Sequence, residues 1–310
     1  MTVIQLTVKV MIFIGLGFFA RKIKVMGDGF DKLLTKFMMA IPLPCMIINS
    51  FRLEFSVQQL MNCPLLIALS AAGLVISFAV GQIIYLAMGK TGLGKSARFA
   101  MMFTNFTFFG LPVVSELYGA EASFNYVIFT LLIRIVFYGG APLLIGDRSQ
   151  GVNVKQTLKQ FFSVPVIAVF IGLVLYVTQL QLPDLVVSVM TTLGNMASPL
   201  GLMLCGVIIA DASFSGIRRY PCVFWLTALR LIAVPGIMLG LFLLLGIDGD
   251  IIRSLNYYFA MPVASFLPTF FLKYRPDDTD ARSMSGFLVV CSTLACIVTI
   301  PLWAMVLEFI

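Results

Sequence analysis

Two apolar stretches of this 310-residue chain are interrupted by prolines, and uncharged polar side chains lie beside the interruptions. Asn105 precedes Pro112 in the first stretch, and Ser265 lies between two prolines in the second. Because proline removes an N–H donor and frees a carbonyl about one turn earlier, each stretch is predicted to be a broken helix. A half-helix that begins after a break presents N–H groups and a positive dipole end, which suits an anion. The candidate substrate-binding residues at these breaks are Thr104, Asn105, Gly110, Pro112, Pro262, Ser265 and Pro268.

Three basic residues lie inside apolar segments, and Arg134 is the most central of them. An arginine at the middle of a membrane span costs about 2.5–3.5 kcal/mol on insertion scales, so Arg134 should face a polar interior. It is a further candidate substrate-binding residue that would attract an anion, or it ties down carbonyls freed at the breaks. Both readings stay open. We expect Arg230 and Lys9 to extend along their helices toward the nearer membrane surface.

Several kinds of chemistry are excluded by composition. The chain has no histidine, and its six cysteines form no CxxC pattern. The apolar segments also hold no central Asp or Glu, which disfavours a proton exchanger that uses a buried carboxylate. We therefore expect no catalytic residues, no metal site and no cofactor, and an intramembrane enzyme has no support.

The elements that must position these residues are membrane spans. Mean hydropathy is +1.02, and only 11% of residues are charged. A span needs roughly 20 apolar residues. The sequence predicts an all-α integral membrane protein with ten transmembrane helices at about 3–22, 31–51, 61–88, 97–118, 123–146, 160–180, 184–210, 221–246, 253–273 and 283–309.

Charge alternates from one connecting loop to the next. Sixteen Lys and Arg residues fall in odd-numbered loops, whereas even-numbered loops hold only Arg52 and Arg253. Since Lys and Arg stay in the cytoplasm, both termini are predicted to be extracytoplasmic. The net charge of +7 is thus a sign of membrane orientation, and no nucleic-acid partner is expected.

The ten spans divide into two groups of five. Ile41 to Cys45 and Ala197 to Gly201 are proline-containing stretches in the second helix of each group, and the two breaks lie in helices 4 and 9. Because five is odd, residues 1–150 and 151–310 would form two inverted five-helix repeats. Inverted repeats with broken helices at matching positions are typical of secondary transporters.

The residues resemble the auxin efflux carrier (PIN-like membrane transport) family. The matching stretches are Gly15 to Lys22 with a later Pro-Leu-Pro, Asn105 to Pro112, Ser198 to Gly206, Arg230 to Pro235, Pro262 to Pro268, and Ser292 to Leu294. The resemblance implies helices 4 and 9 that cross at their breaks, as in sodium/proton antiporters and bile-acid symporters. It also implies that Asn105 contacts a substrate carboxylate. The chain departs from the family in having Ser265 in place of an amide, and its short central loop is typical of a compact bacterial member of the inner membrane.

The leading hypothesis is a secondary active transporter, expected to be an efflux carrier, that moves a small organic anion by alternating access. A sodium-coupled organic anion symporter of the same fold and a passive anion channel are the alternatives. The expected partners are the small organic anion and the lipid bilayer. Substrate identity, coupling ion and a homodimer are left open.

Overall fold

A computed structural model describes residues 3–146, 163–211 and 216–310. The described residues are helical, and they contain no strand beyond one isolated bridge. The α-helices are α1 (Val3–Lys22), α2 (Phe30–Ala40), α3 (Pro42–Ser50), α4 (Val57–Ala87), α5 (Gly92–Met102), α6 (Leu111–Ile145), α7 (Val164–Thr178), α8 (Asp184–Asn195), α9 (Ala197–Asp211), α10 (Cys222–Ala228), α11 (Val234–Leu244), α12 (Gly249–Ala260), α13 (Leu267–Tyr274) and α14 (Thr279–Glu308). Two π-helical turns, Phe106–Gly110 and Leu229–Ala233, and a 3-10 turn, Ile217–Arg219, complete the order.

Polar caps mark the starts of three helices. The Thr91 hydroxyl accepts a hydrogen bond from the Gly94 N–H at the start of α5, and the Asp278 carboxylate accepts one from the Ala281 N–H at the start of α14. Asp248 caps α12 in the same way. These side chains satisfy N–H groups that have no partner within the helix, so they fix where each apolar segment begins.

Six stretches of the described chain are long and apolar enough to cross a membrane, namely Phe30–Ser50, Val57–Ala87, Phe106–Ala141, Asp184–Asp211, Cys222–Leu244 and Thr279–Glu308. Breaks explain two of the four predicted spans that are missing from this set, the fourth and the ninth, because they leave pieces that are too short to count. The other two correspond to α1 and to α7, which has 15 residues. α5 has 11 residues, α12 has 12 and α13 has 8. The long α6 includes the non-helical Gly119, with φ of 78°, between the predicted fourth and fifth spans. The ten-span count and the inverted repeat stay predictions.

The chain separates into two compact units, and each draws on both halves of the sequence. Unit 1 consists of residues 1–69, 107–131 and 162–211. Unit 2 consists of residues 70–106, 132–161 and 212–310. The predicted repeat boundary at residue 150 lies outside the described residues, so the division into 1–150 and 151–310 is untested.

Unit 1 is built around a close contact of α1 with α9. A Cβ atom on Gly17 would overlap the carbonyl oxygen of Met203, and one on Gly206 would overlap that of Ile14. Only glycine allows the two backbones to approach this closely, a common device where helices pack in a membrane. Elsewhere in the unit, the Phe124 ring packs between Phe51 and Tyr176, with ring centroids 4.9 and 5.0 Å away.

Unit 2 packs around α14, which contacts α5, α10, α12 and α13. The Trp303 indole on α14 donates to the Leu231 carbonyl over 2.8 Å. That carbonyl lies in the second π-helical turn, where the regular ladder is disturbed. Gly73 of α4 lies against the Phe259 ring of α12. α12 is thus packed against α4 through Phe259, its second-last residue.

The contact of α1 with α9 gives the first prediction. Gly17→Ala should lower the thermal unfolding temperature, because an added methyl forces the helices apart at a cost of about 1–3 kcal/mol. Gly15→Ala on the same helix is the matched control, since nothing lies within 4 Å of a Cβ there. Equal unfolding temperatures for the two variants in detergent would contradict the packing.

Candidate functional site

Both predicted helix breaks are present in unit 2. α5 ends at Met102, the backbone is extended at Phe103 (φ −124°, ψ 133°), and helical structure resumes at Phe106. α12 ends at Ala260, Met261 is extended (φ −75°, ψ 154°), and α13 begins at Leu267. The second interruption lies at Pro262–Pro268 as predicted. The first, at residues 103–105, lies at the start of the predicted Asn105–Pro112 stretch and about two helical turns before Pro112.

The two extended segments pair with each other as a short antiparallel bridge between Thr104 and Val263. The Asn105 N–H donates to the Pro262 carbonyl over 2.8 Å, and the Ala264 N–H donates to the Phe103 carbonyl over 3.2 Å. In an apolar medium each freed backbone group must find a partner within the protein. The two breaks supply partners for one another, so they lie in direct contact.

Arg230 joins the carboxyl ends of the two half-helices that lead into the breaks. One of its guanidinium nitrogens donates to the Met101 carbonyl of α5 over 3.2 Å, and the other donates to the Tyr258 carbonyl of α12 over 3.4 Å. The Tyr258 hydroxyl donates to the Met102 carbonyl over 2.8 Å. A carboxyl-terminal helix end carries partial negative charge, so one cation serves two such ends.

The expectation that Arg230 reaches the membrane surface is wrong, because its side chain is 0% exposed. The physical reason lies in its depth. α10 begins at Cys222, so Arg230 lies about 12 Å along the helical stretch at 1.5 Å per residue. The breaks free backbone carbonyl groups, and these are acceptors that the guanidinium reaches inside the protein.

Asn105 and Ser265, one from each break, contact each other through their side chains. The Asn105 amide nitrogen donates to the Ser265 hydroxyl oxygen over 3.0 Å. Asn105 is 5% exposed, and Ser265 is partly exposed. The helices that begin at Phe106 and Leu267 follow closely, and Pro268 occupies the first turn of α13. Two positive helix ends therefore start beside this polar pair.

Arg134 lies in unit 2 on α6 and is 1% exposed. Its guanidinium carbon is 4.9 Å from the centroid of the Phe106 ring. Phe106 directly follows Asn105 in the sequence. A buried cation over an aromatic face gains on the order of 2 kcal/mol. The structure thus gives Arg134 an aromatic partner in the protein interior, while its part in substrate binding stays a prediction.

Gly110 and Pro112 belong to unit 1, and the other candidate residues belong to unit 2. Gly110 ends the first π-helical turn. Pro112 lines a polar cavity of about 190 Å³, together with Asn49, Ser115, Glu116, Asn195, Ser198 and five further residues. The Lys9 ammonium group lies 2.7 Å from the Glu116 carboxylate, and both side chains are partly exposed.

Sequence reasoning missed three residues of this region. Arg230 was assigned to the surface, although its depth in an acid-free segment was a usable signal. Ser292, whose hydroxyl accepts from the Val263 N–H over 3.0 Å, was part of a family-like stretch but was not predicted to contact a break. Asn256 on α12 is fully buried, and its amide has no hydrogen-bond partner among the described residues. An asparagine between Leu255 and two tyrosines was the visible sign.

The polar groups at the breaks are the amide and hydroxyls of neutral side chains and the N–H and C=O groups of the backbone. Among the described residues, no group of three or more His, Cys, Asp or Glu could hold a metal ion. The six cysteines are free thiols.

Comparison with protein families gives one match, to the family described as Membrane transport protein, over residues 2–304. Comparison with curated proteins gives no match. The matched family is the auxin efflux carrier and PIN-like family that the motifs resemble, and it is a family of transporters rather than of enzymes. Since the match covers nearly the whole chain and the long apolar helices suit a bilayer, this chain belongs to the membrane transport protein family of auxin efflux carriers and PIN-like transporters.

Proposed function

We propose that this membrane transporter is a secondary carrier that exports a small organic anion, bound by its carboxylate at the paired breaks. The proposal rests on one observation, that the buried charged side chains in the described part of the chain are all positive. Among the described residues, the buried charged side chains are Arg98, Arg134 and Arg230, and none is acidic. All three lie in unit 2 with the breaks. A bound anion would compensate this charge, whereas a cation would add to it.

The charges at the helix ends also favour a negatively charged substrate. Arg230 neutralises the two negative ends, at Met101 and Tyr258. The two positive ends, at Phe106 and Leu267, have no acidic residue near them in sequence, because residues 92–112 and 251–276 contain no Asp or Glu. Positive helix ends beside amide and hydroxyl groups are a common way to bind carboxylates. Asn105 would then exchange its bond to Ser265 for one to the substrate.

Transport by alternating access is part of the proposal. The division into two compact units, each drawn from both halves of the chain, supports a mechanism with two moving bodies. The loop charges support an orientation with both termini outside, and the short central loop supports a compact bacterial carrier of the inner membrane. On this account each half of the chain contributes one break to the site.

Asn105→Leu tests the substrate contact. We expect thermal stabilisation of the purified protein by at least one of acetate, benzoate, malonate and succinate. The variant should bind that carboxylate roughly 10- to 150-fold more weakly, because a hydrogen bond to a charged group contributes about 1.5–3 kcal/mol. Asn62→Leu, on α4, is the control and should bind as wild type. The measurement is ligand-dependent unfolding temperature, in sodium and in potassium salts.

Each outcome of this titration is informative. If none of the carboxylates stabilises the wild-type protein, an organic anion is the wrong substrate class. If one does and Asn105→Leu binds it normally, Asn105 is a packing residue. Stabilisation that requires sodium would favour the sodium-coupled symporter instead.

Arg134 gives a second test, by transport in proteoliposomes. If its charge attracts the substrate, Arg134→Lys should keep much of the transport of the stabilising carboxylate and Arg134→Gln should lose most of it. If instead the planar guanidinium holds the fold together, both variants should lose folded yield alike. Normal transport by Arg134→Gln would rule out either role.

A further inference from the structure

An apolar groove lies on unit 2, away from the residues at the breaks. α10 and the π-helical turn after it form one wall, with Phe224, Thr227 and Leu231, and α14 forms the other, with Cys291, Leu294 and Ala295. The groove holds about 570 Å³ and is open along its length. Its lining is almost entirely apolar. Such a groove in a membrane protein suits a hydrocarbon chain rather than a water-soluble molecule.

One end of the groove is positively charged. Ile217 lines this end, and Arg218 and Arg219 follow it in the 3-10 turn. Arg219 lies 3.2 Å from the Asp280 carboxylate. Arg218 is exposed and forms no ion pair with any described residue. The loop charges predict that this turn lies on the cytoplasmic side, where anionic lipid headgroups attract basic residues.

The dimensions of the groove fit one lipid leaflet. From Cys222 to Ile232 the wall runs about 15 Å at 1.5 Å per residue, which equals half of a hydrocarbon core about 30 Å thick. Trp225 and Phe224, both largely exposed, lie near the charged end, where aromatic side chains commonly meet the headgroup region.

We propose that this groove binds one acyl chain of an anionic phospholipid, whose phosphate contacts the Arg218 guanidinium. The lipid would hold α10 against α14 from the outside. This site is independent of the proposed transport function, since it uses none of the residues at the breaks.

The headgroup contact is tested by native mass spectrometry of the purified protein with phosphatidylglycerol and with phosphatidylcholine of the same acyl chains. Wild type should bind phosphatidylglycerol more tightly. Arg218→Gln should weaken that binding roughly fivefold, since one basic residue near an anionic surface contributes about 1 kcal/mol. Lys36→Gln removes one charge from the same predicted membrane side but outside the groove, so it is the control.

The acyl contact is tested separately by filling the groove. Ala228→Phe should abolish the tightest lipid site for both lipids, whereas Ala79→Phe, an equally exposed position on α4, should leave it intact. Inorganic phosphate alone should not compete. Equal binding of the two lipids, equal effects of Arg218→Gln and Lys36→Gln, competition by phosphate, or no effect of Ala228→Phe would overturn the proposal.

Discussion

The structure depends on how an interrupted backbone is satisfied inside an apolar protein. Breaking two helices frees carbonyl and N–H groups that water cannot reach, and each unsatisfied group would cost several kcal/mol. Here the freed groups meet at one place. Residues 103–105 and 262–264 bond to each other, and Arg230 donates to the carbonyls of Met101 and Tyr258 just before the breaks. One buried side chain thereby ties two half-helices together.

That arrangement determines the electrostatics of the candidate site. Because Arg230 covers the negative ends of α5 and α12, the positive ends at Phe106 and Leu267 are left to act on whatever lies beside Asn105 and Ser265. A buried arginine with no buried acid is costly, and the described part of the chain has three buried arginines and no buried acid. In our account the carbonyl groups offset part of this cost, and the substrate anion offsets more of it during transport.

Sequence alone predicted the parts of this site that depend on local chemistry. Pro262 and Pro268 located the second break, because proline acts on its own neighbours in the chain, and Asn105, a rare amide in an apolar run, marked the first. Pairing between Thr104 and Val263 was harder to predict, since the two residues are 159 positions apart in sequence. Arg230 was misassigned for the same reason, because its acceptors belong to two other helices. Two of the missing spans, the fourth and the ninth, differ because broken helices yield short pieces, a consequence of the same breaks that the sequence had indicated.

The central claim is that Arg230 stabilises the two breaks by more than the burial of its charge destabilises the protein. The most direct measurement is the thermal unfolding of Arg230→Met, which keeps an unbranched side chain about as far as Nε and removes the donors. The account predicts a loss of about 3–6 kcal/mol, because two hydrogen bonds to a charged donor contribute about 1.5–3 kcal/mol each. An unfolding temperature equal to or above that of the wild-type protein would contradict it, since the desolvation of the arginine would then outweigh its contacts.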